Sequence, residues 1–240
     1  MKQRARHAVL CVAMVCVMGC YDNVSTPFPP GAEPWEENMA PMPQPTEEDP
    51  CPEGQLGFHR TVYMRANTVH ARACIHQPLE VVWRALRDPQ TSRDPTTTSG
   101  FRVAAYDVSA DEDPAPQYSY RTEIHVDDII NLDFEQTWRH YLAEGTDEMP
   151  ELTATRWQKT FGSSALFLME GSIVAQPLEE HPEITLLEYQ YHLDAVARDD
   201  HGTIEAFLTV IYGRLRQRAH DETLEPNDCE GCPEPPGNYL

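Results

Sequence analysis

Basic residues are scarce in this 240-residue chain. Lysine and arginine together number 18, against 39 aspartates and glutamates, so the formal net charge is −21 at pH 7. A protein that follows phosphates along a strand needs clustered bases to neutralise them, and this composition therefore argues against nucleic acid as a partner. It also argues against a folded surface that binds anionic lipid head groups.

The motifs of several enzyme classes are lacking as well. The sequence has no serine–histidine–acid set around a nucleophile elbow and no glycine-rich loop suited to phosphates. It also has no helical histidine and glutamate pair at metal-ligand spacing. We therefore predict neither a cofactor nor a metal site.

Long apolar runs are absent except near the N-terminus. Residues 1–19 begin with three bases and continue with the apolar run 8–18, which is typical of a secretion signal and too short to span a bilayer. The residues that end in Cys20 resemble the lipobox of bacterial lipoproteins, although Met18 stands where a small residue is usual. We expect lipidation of Cys20; the alternative is an ordinary signal peptide cut nearby.

A lipidated cysteine implies a location in the bacterial cell envelope, with the lipid as the only membrane contact. Tyr21 follows Cys20 where lipoproteins retained at the inner membrane of enteric bacteria have an aspartate. The outer membrane is therefore the expected location, although Asp22 one position later leaves the inner membrane open.

Two segments have the composition of solvated chain. Residues 20–60 contain nine prolines and eight acidic residues without apolar periodicity, which predicts an extended tether. Residues 220–240 form an acidic tail with no lysine or arginine. Residues 61–219 remain for one domain with an ordinary core.

Four cysteines remain in the mature chain besides Cys20, and an oxidising compartment favours disulfides. Cys229 and Cys232 have the spacing of a redox dithiol or half a zinc site, but the chain has no second ligand pair. We favour a disulfide that joins the tether to the tail through Cys51. Cys74 is the fourth cysteine, and the connectivity stays open.

Alternation of apolar and polar residues predicts strands in the domain. A first strand at 61–75 precedes a short helix that Pro78 begins. Six strand-like segments with short links follow, and their period of two predicts an antiparallel sheet with one buried face and one solvated face. These segments are 101–108, 118–127, 132–142, 152–161, 165–173 and 187–194.

A long helix is predicted at 202–219. Arginines occupy its last turns, where a helix C-terminus favours cations. At 1.5 Å per residue it runs roughly 27 Å, which is long enough to cross a sheet. Its apolar stripe, with spacings of three and four residues, consists of Ile204, Phe207, Leu208, Ile211, Tyr212 and Leu215.

This order of elements resembles the START-like superfamily, also called SRPBCC or helix-grip. The closest local match is 75–88, where Pro78, Val82, Trp83, Leu86 and Asp88 stand in the places of a polyketide-cyclase-like motif. The resemblance covers residues 63–219. It implies an α+β fold in which a bent seven-stranded antiparallel sheet wraps around the C-terminal helix, with short helices after the first strand and an apolar cavity between sheet and helix.

Side chains on the buried face of the strands are the expected lining of that cavity. A ligand cavity needs an apolar wall and a few polar groups that orient the ligand. A packed core with tyrosine hydroxyls at its rim is the alternative. The predicted ligand-binding residues are Tyr118, Tyr120, Phe134, Gln136, Trp138, His140, Phe167, Tyr189, Tyr191, Phe207 and Ile211.

The favoured function is that of a membrane-anchored envelope protein that binds a hydrophobic small molecule or lipid. His140 has inward parity on a central strand and is the candidate base of an alternative, a cyclase- or hydrolase-like enzyme. No carboxylate shares its face to tune its pKa, so we expect binding rather than catalysis. A ligandless envelope scaffold is the third possibility.

Overall fold

The structure is a computed structural model that describes residues 36–63, 65–127, 131–196, 200–226 and 229–232. The predicted signal peptide, Cys20, the first part of the tether and the last eight residues of the tail lie outside the described residues. Within the described ranges, no helix is both long enough and apolar enough to cross a bilayer.

The described residues form one antiparallel sheet of eight strands and two α-helices, with a short 3₁₀ turn at Pro89–Ser92. The strands are β1 (Gly57–Tyr63), β2 (Ala66–Ile75), β3 (Thr98–Tyr106), β4 (Tyr118–Val126), β5 (Leu132–Gly145), β6 (Pro150–Gly162), β7 (Leu166–Leu178) and β8 (His181–Ala195). The helices are α1 (Leu79–Leu86) and α2 (His201–Ala219). The strand order is β1-β2-β8-β7-β6-β5-β4-β3.

The predicted sheet was one strand short. The segment 61–75 is not one strand, because its first residues belong to β1 and pair back onto β2. β1 begins at Gly57, inside the predicted tether, so the boundary between residues 60 and 61 falls within a strand. The alternation in β1 is hard to recognise because only Phe58 and Val62 are apolar on one of its faces.

The other predicted elements are present, with shifted ends. Each of the six later segments forms a strand, and the predicted long helix is α2. α2 begins after Asp200, whose carboxylate accepts a hydrogen bond from the backbone N–H of Thr203 at 2.7 Å, as expected of an N-cap residue. α1 follows Pro78, which occupies its N-cap position.

Both helices pack on one face of the sheet, which we call the inner face. α2 contacts β2 and β8, while α1 contacts α2, β6, β7 and β8. The inward positions of β2 are small or branched and fully buried, which lets α2 approach closely. They are Val69, Ala71, Ala73 and Ile75.

Asp88 joins the two helical segments. Its carboxylate accepts a hydrogen bond from Gln90 N–H at 3.0 Å and so caps the 3₁₀ turn. The same carboxylate forms an ion pair with Arg218 Nε at 2.8 Å. Arg214 of α2 donates to the Gln90 carbonyl at 2.9 Å. The end of the 75–88 motif therefore fixes α2 against the turn that follows α1.

The opposite, outer face of β2 and β8 is covered rather than solvated. Residues 36–53, which we call the strap, lie across it. Asn38 Nδ2 donates to the carbonyls of Ala71 at 3.2 Å and Tyr189 at 3.0 Å. Arg72 Nη1 donates to the Ala40 carbonyl at 2.9 Å. The prediction of a solvated tether is wrong for this part of the chain, because outward polar side chains bind the strap backbone.

The disulfides also differ from the favoured link. Cys51 of the strap pairs with Cys74 of β2, and both sulfurs are buried, whereas Cys229 pairs with Cys232 within the tail. The predicted bond from tether to tail is therefore wrong, although Cys51, Cys229 and Cys232 are all in disulfides. The strap brings Cys51 to the outward side of β2, where Cys74 lies.

Candidate functional site

Stacked aromatic rings cover the middle of the inner face. Trp138 of β5 and Trp157 of β6 are paired in register and stack with ring centroids 4.9 Å apart. Tyr120 of β4 stacks on Trp138 at 6.0 Å and on His140 at 5.5 Å. These four rings are at most 2% exposed. They form the centre of what we call the ring layer.

The ring layer extends to both helices. Tyr191 of β8 lies 5.7 Å from Trp157 and meets Phe207 of α2 edge-on at 5.1 Å. On the other side, Trp83 of α1 meets His140 edge-on at 6.2 Å. Its eight members are Trp83, Tyr118, Tyr120, Trp138, His140, Trp157, Tyr191 and Phe207.

A glycine makes room for the central tryptophan. Gly171 of β7 is the register partner of both Trp157 and Tyr191. A Cβ at this position would lie 2.1 Å from Trp157 Cζ2, far inside van der Waals contact. The indole of Trp157 therefore lies across β7 only because residue 171 has no side chain.

Four polar atoms in the ring layer and beside it are buried without a hydrogen-bond partner among the described residues. They are Nε1 of Trp138, Nε1 of Trp157, Nε2 of His140 and the hydroxyl of Tyr189. An unpaired buried polar group costs about 1–3 kcal/mol, and native proteins have few of them. By contrast, Trp83 Nε1 donates to Asp147 Oδ1 at 2.8 Å. These four atoms belong to β5, β6 and β8.

His140 is held as a neutral imidazole. Its Nδ1 lies 2.9 Å from the Thr155 hydroxyl. Burial, together with the positive charge of Arg87, lowers the pKa of His140 to about 3. A group with so low a pKa is a weak proton acceptor at neutral pH, so this geometry suits hydrogen bonding better than base catalysis.

Known proteins are similar to this chain in architecture and not in sequence. No protein family matches the chain, and no curated protein sequence matches it. In the structure, α1 and a 3₁₀ turn separate β2 from β3, six strands follow, and α2 then packs back on the inner face. This order of elements and the packing of α2 on the sheet agree with the helix-grip arrangement predicted from the sequence. The fold class is α+β as predicted, with eight strands instead of seven.

Several solved structures are similar to the chain in overall architecture. The Zhui aromatase/cyclase from a Streptomyces species is 13% identical, with a TM-score of 0.47 over 65% of this chain and 94% of that one. The lipid transfer and protein localization domain of human StarD13 is 11% identical, with a TM-score of 0.46 over 70% and 86%. A START superfamily protein from Mycobacterium smegmatis is 12% identical, with a TM-score of 0.43 over 64% and 97%.

Most predicted ligand-binding residues lie on the inner face of the sheet or on the side of α2 that packs against it. Six of the eleven belong to the ring layer. Gln136 is buried beside it and donates to Met169 Sδ at 3.3 Å. Phe134, Tyr189 and Ile211 are also buried. Their role in binding a ligand stays a prediction.

Phe167 is the exception. β7 pairs with β8 through Leu166 opposite Ala195 and Leu168 opposite Asp194, so Phe167 is the extra residue of a β-bulge. A bulge shifts the alternation by one residue. The inward position belongs to Leu166, which is buried, whereas the Arg65 guanidinium lies over the Phe167 ring at 5.2 Å.

Trp157 was missed because its segment is polar. Arg156, Gln158 and Lys159 surround it in sequence and obscure the alternation that places its ring inside. The available signal was Gly171, since an isolated glycine within a strand often marks the close approach of another group. The sequence does not show which group approaches.

A network of titratable side chains lies on the outer face, under the strap. Glu36 Oε1 lies 2.6 Å from His70 Nε2 and 3.2 Å from His192 Nε2. His192 Nδ1 lies 3.1 Å from Glu170 Oε1. Burial lowers the pKa of His192, but its bonds to Glu170 and Glu36 outweigh burial and raise the pKa to about 9. The hydrogen bond from His192 is the main cause that lowers the pKa of Glu36 to about 2.

We expect the strap to be held most firmly between about pH 4.5 and 6.5. His192 has a pKa of 6.5 in the unfolded chain and about 9 in the folded protein. Its contribution to the free energy of unfolding is therefore fully present below pH 6.5 and is lost as pH rises through about 9. Glu36 has a pKa of 4.5 in the unfolded chain and about 2 in the folded protein. Its contribution to the free energy of unfolding is therefore fully present above pH 4.5 and is lost as pH falls through about 2.

Glu36→Gln should therefore destabilise the protein by about 1 kcal/mol at pH 5.5. We expect no larger loss, because Glu36 is partly exposed and solvent screens its ion pairs. The difference should shrink by pH 9.5. Urea denaturation at both values measures it, with exposed Glu37→Gln as the matched control. A Glu36→Gln effect that is equal at both pH values would contradict this assignment.

Proposed function

We propose that the domain binds a small, largely apolar molecule with hydrogen-bond acceptor atoms between its sheet and α2. The observation that carries the proposal is the set of four unpaired polar atoms in the ring layer and beside it. Indole N–H groups can only donate. Two indoles that have no acceptor in the described part of the chain, on an otherwise aromatic face, suit a ligand with carbonyl, hydroxyl or ether oxygens.

The ring layer also suits the apolar part of such a ligand. Tyrosine and tryptophan rings offer flat faces for stacking and a polar tip for orientation, and ligand sites combine an apolar wall with a few polar groups. Tyr118 and Phe207 are only half-buried. We therefore place the access route at one of these two ends of the layer. His140 has a hydrogen-bonding role in this proposal, and catalysis is the alternative.

The location proposed for this activity is the bacterial cell envelope, with a lipid at Cys20 that holds the domain at a membrane, preferably the outer one. The support is the sequence of residues 1–20, in which a charged head and an apolar run precede the cysteine. An apolar ligand is consistent with a protein attached to a membrane. The mass of the bound molecule, measured by native mass spectrometry, will distinguish a lipid from another hydrophobic ligand.

Native mass spectrometry of the protein purified from its own host tests the proposal. We expect an adduct of a few hundred daltons that the intact protein retains. Trp157→Phe keeps a ring of the same class but removes the indole donor, and it should weaken ligand retention roughly tenfold.

Trp83→Phe is the matched control, because the Trp83 indole already has a partner in Asp147. It should leave ligand retention unchanged once its effect on stability is allowed for. A protein that carries no adduct and also fails to bind a fluorescent fatty acid would favour the ligandless scaffold.

A further inference from the structure

A second candidate site lies near the tail, where β3, β4, β5 and β6 run side by side. A pocket of about 470 Å³ is formed there by these four strands and Glu230 of the tail. No residue of the ring layer or of α2 lines it. It is therefore separate from the proposed ligand site between sheet and helix.

Phe161 supplies an aromatic wall of this pocket. Lys159 is opposite Gln136, whereas Phe161 is opposite Glu135, so Thr160 is an extra residue in β6. This β-bulge turns Phe161 onto the outer face, although strict alternation from Trp157 would place it inside. Phe161 is 62% exposed.

The tail is fixed at the rim of the pocket. The backbone N–H of Val103 donates to the Glu230 carbonyl at 2.9 Å, and the Tyr106 hydroxyl donates to the Gly231 carbonyl at 2.9 Å. The disulfide between Cys229 and Cys232 closes the loop that carries Glu230. Glu230 is therefore held at the edge of β3.

Charge decides which ligand suits this pocket. Its lining has four carboxylates, a single guanidinium and a single imidazole. Arg102 Nε is paired with Glu123 at 2.7 Å, and His125 Nδ1 with Asp133 at 2.6 Å. These pairs leave Glu135 and Glu230 as the negative excess. Glu135 is 3.4 Å from Arg121, a longer and weaker contact.

We propose that this pocket binds a small organic cation, with an alkylguanidinium or alkylammonium head between the Phe161 ring and the carboxylates of Glu135 and Glu230. A cation over an aromatic face is attracted by the ring quadrupole, and the carboxylates attract the same charge. The lining also includes Phe101, Ile124 and Phe134, which are buried and have inward parity. A metal ion fits less well, because no metal-holding group of three or more His, Cys, Asp or Glu is found within the described ranges.

Titration with butylguanidinium, followed by amide chemical shifts in the full-length protein, tests this proposal. Butylurea is the matched neutral probe, since it has nearly the same shape without the charge. We expect butylguanidinium to shift amides of the pocket strands and butylurea to bind at least tenfold more weakly. Raising the salt concentration should weaken the binding of butylguanidinium alone.

Two substitutions assign the binding to the named groups. Phe161→Leu should weaken butylguanidinium binding roughly two- to fivefold, in keeping with an exposed cation–π contact. Glu135→Gln should weaken it by a similar factor. Both side chains are at or near the surface, so thermal melting should show an intact fold.

Met149→Leu and Glu151→Gln are matched controls, because both residues are exposed and far from Phe161 along the strand: Met149 directly precedes β6 and Glu151 is its second residue. They should leave the affinity unchanged. Equal binding of butylurea, or equal affinity in Phe161→Leu and Met149→Leu, would overturn the proposal.

Discussion

Gly171→Ala should destabilise the domain by about 3 kcal/mol or more, at the upper end of the range for overpacked cores. The added Cβ would lie 2.1 Å from Trp157 Cζ2 and 2.6 Å from the Gln190 carbonyl oxygen. Trp157 cannot withdraw, because Trp138 stacks on it at 4.9 Å and it is fully buried. Urea denaturation of the variant and the wild type measures the loss.

Gly213→Ala is the internal control for this experiment. A Cβ on Gly213 meets nothing within 4 Å, and alanine is the better helix former, so this change should stabilise α2 by up to about 1 kcal/mol. The double variant Gly171→Ala with Trp157→Leu should lose less stability than the sum of its single changes. Additive losses would show that Gly171 does not serve the Trp157 ring.

Replacement of both Cys51 and Cys74 by alanine should cost about 3 kcal/mol. Their disulfide joins residues 23 positions apart, and closing a loop of that length removes this much chain entropy from the unfolded state. The loss should also free the strap, which amide hydrogen exchange at Met39 and Ala40, whose N–H groups are hydrogen-bonded, would detect as faster exchange.

The tail disulfide provides the comparison. Cys229 and Cys232 are only three positions apart, so replacing both should cost at most about 2 kcal/mol and should leave exchange in the strap unchanged. If removing the tail disulfide costs as much as removing the Cys51–Cys74 bond, or if strap exchange is unaffected by loss of Cys51–Cys74, then the strap is not held as described.

The sequence predicts the inner face well wherever strand alternation is unbroken. Tyr120, Trp138, His140 and Tyr191 all lie where a period of two places them, because each belongs to a regular stretch of ladder. The alternation fails at Phe167, where a bulge inserts one residue. No local composition marks this position, since a bulge depends on how two strands register over their whole length.

The strap could not be predicted from its own composition. Prolines and acidic residues are typical of solvated chain, and they obscure the contacts that hold residues 36–53. Those contacts depend on the outer face of β2, where Arg72 and His70 bind backbone atoms of the strap. The outward parity of Cys74 was visible in the sequence, but its pairing with Cys51 required the path of the strap.

The long helix α2 shows both what the sequence predicts and what it does not. Its apolar stripe is correct, and Phe207 reaches the ring layer. Tyr212, on the same stripe, has another role, because its hydroxyl donates to the Cys74 carbonyl at 2.7 Å and accepts from Gly54 N–H at 2.8 Å. Sequence periodicity identifies the buried side of a helix, but the partner of each side chain depends on the tertiary structure.

The most direct test of the proposed function is the indole N–H spectrum of the protein with and without the ligand it carries from its host. We expect removal of the ligand to shift the Nε1–H resonances of Trp138 and Trp157, whose donors lack partners among the described residues. The resonance of Trp83, which is bonded to Asp147, should stay in place. Unchanged Trp138 and Trp157 resonances, beside a ligand that demonstrably leaves, would contradict a binding site in the ring layer.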